Sequence, residues 1–209
     1  MVRDELVELL SWRLGDRDDM GERIIAEMRY TQEYQLEANI WLPWFLEVDS
    51  VGLTVTAGVP YMDLPVDFLR EIEGHFPRVY VSGQSINLTK ADLTTAELWA
   101  TGTGIPKYYS IAGNQMSFSP ISDQNYSIDW RYYGKSTPIH STNEPTPWLV
   151  HAGDLVLALV GQAVAGKHLR DVKVAGEFAN DAVFAWARLE GAHMERREVN
   201  LERAMGMRP

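Results

Sequence analysis

Cysteine is absent from the 209-residue sequence, which excludes disulfide bonds, thiolate catalysis and cysteine-based metal sites. Long apolar runs are missing too: the longest, residues 155–166, is interrupted by Gln162 and is too short to span a bilayer. The N-terminal residues lack an apolar core flanked by positive charge, so they do not resemble a signal peptide. These absences predict a soluble protein that is made in the cytoplasm and has no membrane partner.

A basic run is also missing. The formal net charge is −10, and residues 1–37 carry 10 acidic side chains against 5 basic ones. A protein that holds a phosphate backbone normally presents a basic face. The charge balance therefore predicts that this protein does not bind DNA tightly.

Catalytic motifs are not visible either. The five histidines include no HExxH pair, and neither G-x-x-x-x-G-K-[ST] nor G-x-S-x-G occurs. Asp123 and Asp129 are a candidate carboxylate pair for a glycan hydrolase, but the strand pattern places them in a loop and on an outer strand face, which favours solvated side chains. We therefore predict no catalytic residue, no metal site and no cofactor.

The clearest structural pattern is a set of three β-strands within residues 106–133. Residues 108–111 and 115–119 flank Ala112-Gly113-Asn114, a tight turn in which Gly and Asn accept positive φ. In residues 126–133 large apolar side chains alternate with others. The pattern predicts an antiparallel meander with one aromatic face.

This aromatic face has two interpretations. Tyrosine and tryptophan are common in packed sheets and subunit interfaces, which is the interpretation we favour. They also stack on sugars and bases, so a carbohydrate- or nucleic-acid-binding module remains an alternative. The predicted subunit-interface residues are Tyr109, Tyr126, Trp130, Tyr132 and Tyr133.

Helical spacing of apolar residues dominates both ends of the chain. The predicted helices span residues 3–14, 20–38, 154–169 and 171–193. The last two are expected to form an antiparallel hairpin, because small residues at 158, 161 and 165 allow close packing against an apolar stripe from Ala175 to Leu189.

Between these helices the sequence predicts further strands and buried aromatic segments. Strands are expected within residues 51–59 and 78–82, and a short helix within residues 63–72, entered through Pro65. Pro43 interrupts the second helix and starts an extended aromatic segment. The core residues predicted from these segments are Trp41, Pro43, Trp44, Phe45, Pro65, Phe68 and Leu69.

The fold class is therefore predicted as α+β. A helical bundle, built from two N-terminal helices and a C-terminal helical hairpin, is combined with an antiparallel β-sheet in one domain over residues 1–194. Residues 195–209, the C-terminal arm, are predicted to be exposed and helical at first. The methionines can fill irregular pockets on a partner and the arginines can pair with acidic groups. The candidate docking residues are Val199, Leu201, Arg203, Met205, Met207 and Arg208.

Several segments, in their order along the chain, resemble a known family. Leu14-Gly15-Asp16-Arg17 precedes a helix that leads to Leu42-Pro43-Trp44-Phe45-Leu46, and LPVDFLRE follows at residues 64–71. IPKYYSIAG at residues 105–113 then leads to Ser119-Pro120, the strand at 126–133 and the helical hairpin. This order resembles the head-to-tail adaptor (connector) proteins of tailed bacteriophages over about residues 12–190.

The resemblance implies a structural virion protein of the phage neck and not an enzyme. Such proteins form a dodecameric ring below the portal protein, extend the DNA channel used in DNA ejection, and offer an attachment surface to tail or nozzle proteins. On this basis the portal is the expected partner of the C-terminal arm. Because a charge of −10 repeated around a ring opposes assembly, the isolated protein is expected to be a monomer or weak oligomer that assembles on the portal.

Overall fold

The structure, a computed structural model, describes residues 1–92, 94–95 and 102–204, with side chains to residue 197. The chain divides into two compact units: a helical unit of Met1–Leu46 with Ser136–Pro209, and a sheet unit of Glu47–Lys135. Helices at both ends and antiparallel sheets between them confirm the predicted α+β class. That the two units make up one domain stays a prediction.

The helical unit contains five α-helices and four shorter helical turns among the described residues. The α-helices are α1 (Arg3–Arg13), α2 (Gly21–Thr31), α3 (Pro147–His151), α4 (Gly153–Ala163) and α5 (Val172–Ala204). The shorter turns are 3₁₀ at Asp18–Met20 and Trp44–Leu46, and π-helical at Gln32–Leu36 and Val164–Leu169.

The predicted helix 20–38 is divided, because its last part is a π-helical turn. A π turn brings residues five apart next to each other, and the Gln32 side-chain amide donates to Glu37 Oε1 at 2.9 Å. The same amide donates to the Ser136 hydroxyl at 2.8 Å, and the Ile139 N–H donates to Gln32 Oε1 at 2.8 Å. This buried polar network ties the end of the second helix to the segment that precedes α3.

A second polar contact holds α2 against the turn that follows α4. Glu27 accepts hydrogen bonds from Lys167 Nζ at 2.8 Å and from His168 Nε2 at 3.1 Å. Burial alone raises the pKa of Glu27, but the hydrogen bonds from Lys167 and His168 outweigh it and leave the pKa below its usual value.

The predicted hairpin of α4 and α5 is present, and its packing is tight. A Cβ atom on Gly161 would lie 2.5 Å from the Phe178 ring, so only glycine allows this approach. Phe178, Ala182, Ala185 and Leu189 of the predicted stripe are buried. Helix α5 then continues to Ala204 rather than ending at residue 193.

Eleven strands form the sheet unit within its described residues. They are β1 (Glu47–Val55), β2 (Tyr61–Asp63), β3 (Phe68–Glu71), β4 (Arg78–Val81), β5 (Gln84–Asn87), β6 (Thr89–Lys90), β7 (Thr103–Gly104), β8 (Tyr108–Ala112), β9 (Gln115–Ser119), β10 (Ile121–Ser122) and β11 (Tyr126–Gly134). One sheet has the order β1-β11-β4-β5, with β3 also paired to β11. A second has the order β2-β9-β8-β6, and β10 pairs with β7.

The predicted hairpin β8–β9 is confirmed, but the predicted meander is wrong in its last pairing. Strand β11 pairs with β1, with Trp130 opposite Ser50, and not with β9. Both β1 and β11 have nine residues, so β1 offers β11 a partner of equal length. The chain between β9 and β11 instead forms β10, which pairs in parallel with β7.

The predicted helix at 63–72 is also wrong. Strand β2 ends at Asp63, and after a turn, in which the Phe68 N–H donates to the Pro65 carbonyl at 2.9 Å, the chain enters β3. Strand β3 pairs antiparallel with β11, and Tyr132 lies opposite Glu71. Local helical spacing is overridden here because the ladder satisfies backbone groups that lie far apart in sequence.

Candidate interaction surfaces

The aromatic face predicted from the strand pattern lies inside the sheet unit. Tyr109, Tyr126, Trp130 and Tyr132 are at most 3% exposed, and Tyr133 is half-buried. Buried rings cannot stack on sugars or bases, so this face does not supply the binding surface that the alternative interpretation requires. The prediction that these five residues lie between subunits stays a prediction. Their burial within their own chain does not support it.

Three of the buried tyrosines also have partners for their hydroxyl groups. Tyr109 donates to Glu71 Oε1 at 2.7 Å, Tyr126 to Asp123 Oδ1 at 2.6 Å, and Tyr132 to Asp67 Oδ1 at 2.8 Å. Burial and the neighbouring carboxylates raise the pKa of Tyr109 and of Tyr132 above the usual value. The tyrosine hydroxyls in the core of the sheet unit therefore all have partners, whereas the buried Trp130 Nε1 has none among the described residues.

The candidate carboxylate pair is used in the architecture of the sheet unit. Asp123 accepts a hydrogen bond from the Tyr126 hydroxyl. Asp129 Oδ1 accepts the Gly52 N–H at 3.1 Å, where β1 has a bulge and Gly52 has a φ of 77°. Both carboxylates thus stabilise local structure. In the residues that the structure describes, no group of three or more His, Asp or Glu side chains is arranged to hold a metal ion.

The aromatic segment at residues 41–45 holds the middle of α5. We call Trp41, Trp44 and Phe45 the aromatic clamp. The Trp41 ring contacts the edges of Trp186 and His193, with centroids 5.6 and 5.0 Å apart. The Arg196 guanidinium lies 4.5 Å from the centre of the Trp44 ring. The clamp therefore holds α5 as far as residue 196, the start of the C-terminal arm.

The remaining residues predicted as core lie in both units. Pro43 is buried, while the three clamp residues are half-buried. In the sheet unit Pro65, Phe68 and Leu69 are half-buried, and the Phe68 ring stacks on Trp130 with centroids 5.1 Å apart. These positions contribute to packing on the edges of the two cores.

His193 is the one histidine with almost no solvent exposure, at 2%. Its Nδ1 has no hydrogen-bond partner among the described residues, and its ring lies beside the clamp. Burial and the nearby positive charge of Arg197 lower the pKa of His193 below 6.5. The neutral imidazole is therefore the form that fits this position.

Helix α5 has a second apolar stripe on the side opposite its buried one. The outer stripe, as we call it, consists of Val183, Phe184, Ala187, Gly191 and Met194, which recur at helical spacing. Val183 is 68% exposed, Phe184 70% and Met194 57%. A helix that is apolar on two sides normally has neighbours on both, and the described residues cover α5 on its buried side only.

A groove of about 750 Å³ lies along α1, the 3₁₀ turn after it and the start of α2. Its apolar part is formed by Val7, Leu9, Trp12 and Ile25, and Trp12 is 69% exposed. We call it the acidic groove, because the acidic residues that line it are Asp4, Glu5, Glu8, Asp16 and Asp18. None of the described residues that line it is basic.

The acidic groove was not predicted from the sequence, although one signal was present. Leu6 and Leu10 form the buried stripe of α1, whereas Trp12 falls outside that stripe. A tryptophan on the polar side of a short acidic helix indicates a contact surface, since exposed tryptophan is enriched at binding hot spots.

The residues predicted to dock on a partner fall into two groups. Val199, Leu201 and Arg203 belong to the last turns of α5. Met205, Met207 and Arg208 lie outside the described residues. Their role stays a prediction.

No helix within the described part of the chain is long and apolar enough to cross a membrane. A search among curated proteins finds no match. The family model of the SU10 adaptor protein matches residues 3–208, nearly the whole chain, and confirms the resemblance to adaptors. The protein therefore belongs to the SU10 adaptor protein family, a family of phage head–tail adaptors.

Proposed function

We propose that this protein is a subunit of a ring at the head–tail junction of a tailed phage, where it docks under the portal protein. The ring continues the DNA channel and offers the attachment surface for the tail or nozzle. The observation that carries the proposal is the match of the adaptor family over residues 3–208. The family is structural rather than catalytic, so we assign the chain a structural role in the virion.

A ring requires contacts between two different surfaces of each subunit, since a head-to-tail contact repeats until it closes. The helical unit supports this requirement with two surfaces of different character. One is the outer stripe of α5, a convex apolar side of a helix. The other is the acidic groove, which is concave and contains Trp12.

The charge of the chain supports a channel that DNA passes without being held. The net charge is −10, and acidic residues facing a lumen repel the phosphate backbone. A gel shift at low salt tests this point. Weak binding or none is expected, whereas submicromolar binding that declines steeply with added salt contradicts a non-binding channel, because that slope reports phosphate contacts.

The decisive experiment is the mass of the particle in solution, alone and with the portal protein of the same phage. Multi-angle light scattering is expected to give a monomer or weak oligomer for the isolated protein, since twelve copies of an acidic subunit repel one another. Addition of portal is expected to give a complex with twelve adaptor subunits. A stable dimer that neither portal nor raised salt alters contradicts the proposal.

A further inference from the structure

We infer that the C-terminal arm of each subunit docks in the acidic groove of a second copy of this chain. The inference rests on the proposed ring and assigns one contact that joins neighbouring subunits. It replaces the portal as the expected site for the arm.

The acidic groove accepts a segment that is both apolar and cationic. Leu9, Trp12 and Ile25 give it an apolar part. Its carboxylates include Glu8, Asp16 and Asp18, which have no basic partner among the described residues. A neutral apolar segment would desolvate these carboxylates without replacing their hydration, whereas arginine side chains would pair with them.

The arm has this composition. Four arginines, at 196, 197, 203 and 208, are interleaved with Val199, Leu201, Met205 and Met207. Its three glutamates, at 195, 198 and 202, recur at spacings of three and four. Arg196 lies on the Trp44 ring of its own subunit, so Arg197, Arg203 and Arg208 are the arginines that a partner can use. The arm therefore combines apolar residues with three arginines that can pair with the carboxylates of the groove.

The described helical part of the arm, as far as Ala204, leads away from the groove of its own subunit. Helix α1 lies along α5, because Arg13 bonds Asp181 at 2.8 Å and Met1 lines a cavity with Arg188, Leu189 and Ala192. From Ala192, α5 continues for twelve residues to Ala204, about 18 Å at 1.5 Å per residue. The helical part of the arm thus points away beyond the N-terminal end of α1, so an arm that fills the acidic groove comes from another molecule.

A second copy of this chain is the partner whose arm fills the groove in a ring. Each subunit carries one arm and one groove, so a contact of arm with groove joins different surfaces and repeats around a closed ring. It also places arginines on an acidic surface and reduces the repulsion between subunits of charge −10. The flexible methionines suit an irregular groove, and Trp12 supplies a large ring for them to cover.

The absence of cysteine allows a direct test by disulfide trapping in the full chain. Ser11 lines the groove, and Ser11→Cys changes one atom. Subunits with Ser11→Cys are mixed with subunits that carry Met205→Cys, assembled with portal and oxidised. A disulfide-linked pair with one subunit of each kind is expected on a non-reducing gel. The matched control replaces Ser11→Cys with Ser85→Cys, an exposed serine of β5, and is expected to trap several-fold less.

A charge variant tests the stated chemistry. Glu8→Lys combined with Asp18→Lys is expected to lower trapping about fivefold, as the loss of two exposed ion pairs implies. The control, Glu73→Lys with Glu177→Lys, makes the same change of net charge at exposed positions outside the groove. Equal losses in the two double variants would show that net charge alone matters and would overturn the role of the groove.

Three other outcomes separate this inference from the proposed function. A ring of full mass in which Ser11→Cys and Ser85→Cys trap the arm equally overturns the inference and leaves the ring intact. Trapping of Met205→Cys on a portal subunit that bears a cysteine, with none on Ser11→Cys, assigns the arm to the portal. No ring in light scattering with portal overturns the proposed function, and the inference falls with it.

Discussion

The helical unit and the sheet unit use their large apolar side chains in different ways. In the sheet unit, Tyr109, Trp130 and Tyr132 are enclosed, and the exposed Val51 and Phe76 line a pocket whose other residues are mainly polar or charged. In the helical unit, Trp12 and Leu9 share one groove, and Val183, Phe184 and Met194 share one side of α5. Scattered exposed apolar residues are normal, whereas contiguous ones indicate contact surfaces.

The difference indicates how the two units divide the work of an adaptor. The sheet unit closes its core with hydrogen bonds from buried tyrosines to carboxylates, so its aromatic residues contribute to stability. The helical unit leaves one side of α5 and one groove uncovered, so its exposed aromatic residues are available for assembly. Substitutions of the same kind in both units therefore separate stability from assembly.

The largest contrast is expected for tryptophan. Trp130→Ala removes a buried ring that packs on Phe68 and Tyr132 and is expected to lower the free energy of unfolding by about 3–5 kcal/mol. Trp12→Ala, at a position 69% exposed, is expected to stay within about 0.5 kcal/mol but to weaken assembly with portal. Urea denaturation and light scattering measure the two effects. A large loss of stability in Trp12→Ala would contradict the assignment of the groove as a free surface.

The next contrast lies between two glycines of the helical hairpin, Gly161 of α4 and Gly176 of α5. Gly161→Ala places a methyl group against the Phe178 ring and is expected to cost about 1–3 kcal/mol, lowering the melting temperature by several degrees. Gly176→Ala adds a methyl group with no atom within 4 Å and is expected to stabilise by up to about 1 kcal/mol, since alanine favours helix. Differential scanning calorimetry distinguishes them. Equal changes of melting temperature in the two variants would show that α4 and α5 can move apart to admit the methyl group at position 161.

A smaller effect is expected for the tyrosine hydroxyls of the sheet unit. Tyr109→Phe leaves Glu71 without its bond from the buried hydroxyl and is expected to lower stability by about 1–2 kcal/mol. Tyr61→Phe, at a position 47% exposed, serves as the control and is expected to be neutral. Chemical denaturation of both variants provides the comparison. A neutral Tyr109→Phe would mean that water replaces the lost hydroxyl at Glu71.

The smallest effect is a pH dependence of the helical unit. Because the pKa of His193 is lowered below 6.5 in the folded protein, the unfolded chain takes up a proton first as the pH falls. Stability from this group is thus present above pH 6.5 and declines below it, down to the folded pKa. His193→Gln does not titrate, so its stability is expected to decline less between about pH 6.5 and pH 5.5. Parallel thermal melts at several pH values test this, and identical declines in both proteins would contradict it.

Local sequence patterns predicted the strands and helices that pack against elements close to them in the sequence. The hairpin β8–β9 follows from Gly113, whose φ of 60° suits the turn. The hairpin of α4 and α5 follows from the small residues at 158, 161 and 165, of which Gly161 faces the Phe178 ring. Alternation in β11 correctly placed Trp130 and Tyr132 in a core. These features depend on side-chain periods of two and 3.6, which are visible in a short window of sequence.

Other features depend on residues far apart in the chain, and local patterns did not show them. The π turn at Gln32–Leu36 is joined to Ser136 and Ile139, about a hundred positions away. The segment 63–72 forms strands because β3 pairs with β11. The acidic groove needs α1 and α2 side by side, which leaves Trp12 exposed while Leu6 and Leu10 are buried.

The amino-acid sequence by itself determined the fold class, the turns at glycine, the buried stripes of the helices and strands, and the resemblance to phage adaptors. Each of these depends on the order of neighbouring residues, through backbone conformation and side-chain period. Only the tertiary structure decided which strand accompanies β11, which aromatic rings are enclosed, and which remain open at the groove and along α5. Those choices depend on long-range backbone pairing and on competition for burial, because a given tyrosine or tryptophan has the same chemistry in a core and on a contact surface.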